Sequence, residues 1–209
     1  MSTIPRHLKI GLVMITIAGV ISGGYFVGVV GRIRNMVRDP ETEANPFVAP
    51  AAQLYSSADP PLDVKVFFPS SSGTAILTAE KRRIFKSGEL TNQARQILKI
   101  VVDGPMTSGL LPTVPKDTKL QGVFLSKDGT LFVDFSSAIS INHPGGMVNE
   151  QATIYSIVDS LIYNLSDIHQ VKILVGGNEQ ETLAGHFLLL LPLDMDLSIT
   201  TEEEGTHAN

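Results

Sequence analysis

From Ile10 to Gly31 the sequence reads "IGLVMITIAGVISGGYFVGVVG", a run without a single charged residue. As an α-helix it would span about 33 Å, the thickness of a bilayer's hydrocarbon core. A core helix of a soluble domain is usually shorter and amphipathic. A cleaved signal peptide would also be shorter, with an Ala-x-Ala site behind it. The run therefore reads as one transmembrane anchor, and the rest of the chain is organised around it.

Charge divides along the same line. Residues 1–38 hold five basic residues and no acidic one, whereas residues 39–209 hold 11 basic and 21 acidic. An acidic body is a poor match for a phosphate backbone, so nucleic acid is not expected as a partner. Arg6 and Lys9 precede the anchor and Arg32, Arg34 and Arg38 follow it. These charges nearly cancel, and charge alone does not orient the helix. Gly19–Gly23 and Gly24–Gly28 have the spacing that lets two membrane helices approach closely. The bilayer is thus one expected partner and helix self-association another.

Behind the anchor, residues 32–61 form a juxtamembrane stretch and a spacer rich in proline and alanine, suited to extended conformations. At the far end, residues 194–209 hold five acidic residues and no basic one, and read as a frayed, disordered tail. The folded part is residues 62–193. "LDVKVFF" at 62–68 alternates as a strand, and a weaker strand is expected within 75–85. Leu90, Ala94, Ile97, Leu98, Val101 and Val102 form one helical stripe, which Asp103-Gly104-Pro105 terminates. Lys119–Leu125 and Thr130–Phe135 bracket "SKDG" as a β-hairpin. An amphipathic helix from about 149 to 168 and the strand "VKILV" complete the order β–(β)–α–β–β–α–β. The expected fold is α/β of the α+β type, a small mixed sheet with two amphipathic helices on one face.

The segments "ILKIVVDGP", "LPTVPKDTKL", "GVFLSKDGTLFVDFSS" and "VKILVGG" followed by "ETLAGHF" resemble a GerMN domain. This is the family of sporulation and spore germination named after GerM, similar in fold to the ring-building-motif modules. The resemblance implies an envelope protein in the cell (inner) membrane with an extracytoplasmic domain, which makes residues 1–9 cytoplasmic. It also implies assembly with an envelope protein or with itself, in sporulation-type or germination-type processes. With no cysteine, a lipidated-cysteine anchor is excluded and the helix must serve.

No reaction is written in the sequence. The loop 103–120 has Thr107, Ser108 and Thr113 but no histidine, and reads as a connection. The five histidines lack paired metal-ligand spacing, and neither a Walker loop nor a dinucleotide fingerprint is present. The chain is therefore expected to be no enzyme, with no catalytic residue, metal or cofactor. Contact residues are sought instead. Lys81, Arg82 and Arg83 form a basic cluster that could meet peptidoglycan or another anion. Asp134 lies at a strand end, and His186 in "LAGHF" is expected to fix a strand end by a hydrogen bond. The alternative to protein assembly is a sensor that binds wall glycan or a small ligand.

Overall fold

A proline-bounded strand and its antiparallel partner begin the domain, and their pairing decides its architecture. The structure is a computed structural model and describes residues 59–71 and 76–201. The run 10–31 with its four glycines, the spacer up to residue 58 and residues 202–209 lie outside the described residues. Among the described residues, no helix is long and apolar enough to cross a membrane.

Strand β1 (Pro61–Pro69) pairs antiparallel with β2 (Leu77–Phe85), from Pro61↔Phe85 to Pro69↔Leu77. Helix α1 (Leu90–Asp103) follows and stops at Gly104, whose φ of 87° favours glycine. The loop beyond it is pinned to the end of β1, where Leu111 N–H donates to Pro69 O at 2.9 Å. Strands β3 (Leu120–Leu125) and β4 (Thr130–Phe135) form the expected hairpin. Gly129 closes its turn at φ 84°, and a Cβ there would come within 2.7 Å of the His169 ring. A short helix α2 (Ala138–Ile141) and the long helix α3 (Met147–Asn164) cross over to β5 (Gln170–Val175), parallel to β4. A two-residue β6 (Asn178–Glu179) pairs with β5, and β7 (Thr200–Thr201) pairs parallel with β2.

The expected single sheet is corrected: the described residues form two, ordered β1-β2-β7 and β3-β4-β5-β6. Nothing joins them, because the second edge of β1 is covered by a helix instead of a strand. Asn164 of α3 accepts from Lys65 N–H at 2.9 Å and donates to Lys65 O, and Ser160 Oγ accepts from Phe67 N–H at 3.0 Å. Residues four apart on a helix share a face, so the edge is sealed by side chains. Ser156, one turn earlier, is buried without a partner. Two residues along β1 from Phe67 stands Pro69, which has no N–H to give.

The placement of both helices on one face is corrected with it. Helix α1 contacts β1, β2 and β3, and α3 contacts β1 and β5, so each helix touches both sheets. Nor is α3 amphipathic in the expected way, since Glu150, Thr153, Ser156, Asp159 and Ser160 are all buried with its apolar residues. One core containing Phe68, Ile97, Phe135, Ile157 and Ile173 runs through both sheets and both helices. Each such side chain contributes about 1.5–3 kcal/mol by leaving water. Residues 194–201, assigned to the disordered tail by the sequence, instead form a 3₁₀ turn at Leu197–Ile199 and strand β7.

Candidate functional site

After β6 the chain runs for some fifteen residues, 181–196, with no regular element of its own, and three buried ionisable side chains hold it. Glu150, in the first turn of α3, is fully buried. Its Oε1 accepts from Leu183 N–H and Ala184 N–H, each at 2.8 Å, and its Oε2 from His186 N–H at 2.9 Å. Burial pushes this carboxyl upward, but the N–H groups of Ala184, Phe187, His186 and Leu183 together outweigh it and hold the pKa below the ordinary 4.5.

Lys172, on β5, is also buried and donates to Leu189 O at 2.9 Å and Leu190 O at 2.5 Å. Its charge is faced by Glu179 at 3.5 Å. Asp159, two to three turns along α3 from Glu150, accepts from Asp196 N–H at 3.0 Å through Oδ1. Its Oδ2 is buried without a partner. Burial, and then the nearby Asp196 charge, outweigh that one hydrogen bond and push the pKa of Asp159 up to about 7.

Held in this way, the strap alternates irregularly between inside and outside. Leu183 and Leu189 enter the main core, while Phe187 and Leu193 pack on it. Leu193 also bridges Val171 by two backbone hydrogen bonds. Facing outward are Leu188 (62% exposed), Leu190 (52%) and Leu191 (75%). With Tyr155, Pro192 and Met195 they line an open groove of about 640 Å³ rimmed by Asp194 and Asp196. The groove is largely apolar, and its backbone is held by the buried side chains of Glu150, Lys172 and Asp159.

The residues singled out from the sequence are dispersed. His186 is 44% exposed and its Nδ1 lies 3.3 Å from Glu150 Oε2, so it belongs to the strap. Asp134 accepts from Gly177 N–H at 2.8 Å and closes the turn after β5. The basic cluster divides across β2. Arg82 turns inward to Glu80 at 2.7 Å and to Gly104 O, while Lys81 and Arg83 point outward. Glu80 also accepts from Met106 N–H and Thr107 N–H, which hold the turn behind α1. Among the described residues no group of acids, histidines or cysteines could hold a metal ion.

Glu150, Lys172 and Asp159 were not visible as site residues in the sequence. A signal existed for two of them: in 18 residues α3 has only Glu150 and Asp159 as charges, too few for a solvated face. Lys172 gave none, because a lysine alternating with valine and isoleucine reads as the wet side of a strand.

The family model Germane, "Sporulation and spore germination", matches residues 65–181, more than half of the chain. No curated protein matches. Among solved structures, the first GerMN domain of the sporulation protein GerM from Bacillus subtilis aligns with a TM-score of 0.53 at 22% identity. That match covers 66% of this chain and 98% of that one. The tandem GerMN domains of the same protein give the same score and identity, with 47% of their length covered, so this chain spans about half of the pair. A candidate lipoprotein from Clostridium perfringens aligns at 23% identity with a TM-score of 0.47, over 67% of this chain and 93% of its own.

Proposed function

This chain belongs to the Germane family of sporulation and spore germination, and on that premise we propose that it is a non-catalytic cell-envelope module that binds a protein partner through its strap. The run Ile10–Gly31 anchors it in the membrane, and the domain faces outward on the spacer. The observation that carries this reading is the exposure of Leu188, Leu190 and Leu191 on a backbone fixed by buried charges. Apolar patches on fixed surfaces mark interaction sites, because little conformational entropy remains to be lost on docking. Support for the non-catalytic part comes from the acids themselves: Glu80, Glu150 and Asp134 are engaged by backbone N–H groups. The alternative, a glycan sensor using the basic cluster and His186, is less well supported, since these residues sit on separate elements and Arg82 is turned inward.

The test is affinity purification of the full chain from membranes, compared with a Leu188→Ser, Leu191→Ser double variant. An envelope protein that copurifies with the parent and is lost from the variant, at equal thermal stability, is the expected result. Identical copurification from both would rule out the strap as the docking surface.

A further inference from the structure

The two edges of the β1–β2 hairpin are treated in opposite ways. On β1, Lys65 and Phe67 direct their backbone groups at Asn164 and Ser160, away from β2. In an antiparallel ladder the hydrogen-bonded and non-bonded pairs alternate. Their partners Lys81 and Ala79 therefore direct their own N–H and C=O away from β1, and so does Arg83 opposite Asp63. On that outer side β7 covers Leu77 and Thr78, and the Gln96 side chain covers both backbone groups of Phe85. The pairing of Thr78 with Thr201 takes the outward N–H of Ala79 as well. Beyond it, among the described residues, the outward N–H and C=O of Lys81 and Arg83 meet no backbone partner. The open stretch is Lys81–Arg83, about 10 Å of strand.

We propose that this edge receives an extended acidic segment of a partner protein as an added strand beside Lys81–Arg83. An added strand satisfies the outward backbone groups of Lys81 and Arg83, and β7 already shows a strand lying on the same edge. Charge selects the occupant. Lys81 and Arg83 are exposed on one face, next to Lys65 on the neighbouring strand, and Arg83 shares only the exposed Asp63 at 3.0 Å. Glutamates or aspartates at alternate positions of an added strand lie beside these cations. A second copy pairing β2 with β2 instead sets Lys81 against its own like charge, which is unfavourable. The edge is thus closed to self-pairing and open to acidic strands. This surface is separate from the leucine strap and stands without it.

The experiment is fluorescence anisotropy of an eight-residue labelled peptide of alternating glutamate and valine, titrated with the full chain in detergent micelles at low salt. Saturable binding is expected, weakened at least tenfold by Lys81→Glu with Arg83→Glu, and abolished by 0.5 M salt. Lys81→Pro removes one outward N–H and none of the β1–β2 hydrogen bonds, so it should weaken binding further than Lys81→Ala does. A circular dichroism melt confirms that it folds, and if it does not, the charge-reversed pair decides alone. Absence of binding, equal binding by the variants, or equal binding of a lysine–valine peptide overturns the proposal. A chain ending at Thr201 separates an outside strand from the chain's own Glu202–Glu204. Equal affinity supports a partner's segment, and binding seen only after truncation overturns it.

Discussion

The two ends of the strap rest on the same kind of group and differ in how that group is satisfied. At one end Glu150 is buried, but successive backbone N–H groups converge on both of its oxygens. At the other, Asp159 is equally buried and receives one N–H, leaving Oδ2 alone. Burial costs both carboxylates their hydration, and the number of donors decides whether the pKa falls or rises. Glu150 is held as an anion below the ordinary carboxylate range, whereas Asp159 takes up a proton near neutrality. One end is locked at any physiological pH, and the other is adjustable.

The largest expected effect comes from breaking the locked end. Glu150→Ala leaves the N–H groups of Leu183, Ala184 and His186 without their acceptor and opens a cavity at the start of α3. A loss of about 3–5 kcal/mol is expected from urea unfolding of the full chain. Glu150→Gln keeps one acceptor and should lose less. The lowered pKa sets the sign of the pH dependence: the stabilisation is present above the unfolded value and is lost as pH falls through the folded one. Acid should therefore release this end, and in Glu150→Gln that acid-side slope should be shallower.

Next in size is Lys172→Met, which fits the strand but strips the carbonyls of Leu189 and Leu190 of their donor. About 2–3 kcal/mol should be lost, with hydrogen exchange rising in the strap ahead of β4 and β5. Asp159→Asn should act in the opposite direction. With a folded pKa raised to about 7, Asp159 contributes stability that is full below the unfolded 3.8 and is lost as pH rises through 7. Removing the charge should raise stability at pH 8 by about 1–3 kcal/mol and flatten the fall in melting temperature between about pH 4 and 7. An unchanged slope there would mean that the two ends do not differ as described. Smallest of all, Leu188→Ser with Leu191→Ser should change stability by about 0.5 kcal/mol or less, since both side chains already face water.

What could be read from the sequence was what is local. Asp103-Gly104-Pro105 ends α1 because a positive φ and a missing N–H act within three residues. The β3–β4 turn and the alternation of Leu131, Val133 and Phe135 are equally local. Pairing across distance was not legible. The partner of Leu77 on the outer edge is Thr200, and that of Phe67 N–H is a serine hydroxyl on a helix, neither marked by any periodicity. The same holds for the site: "LAGHF" and its histidine stood out, but the buried glutamate that accepts from their backbone lies more than thirty residues earlier. Burial turned α3's polar residues from a supposed wet face into hydrogen-bond partners, and a single sequence does not record burial.

Whether the strap's outward leucines meet a protein partner is best decided by in-cell photo-crosslinking. The probe is placed at position 191 of the full-length chain and, in parallel, at Lys99 on the exposed side of α1. A discrete adduct with another envelope protein from position 191, and none from 99, is expected if the strap is the docking surface. Adducts of equal yield from both positions, or none from 191 in a folded, membrane-exposed chain, would contradict it.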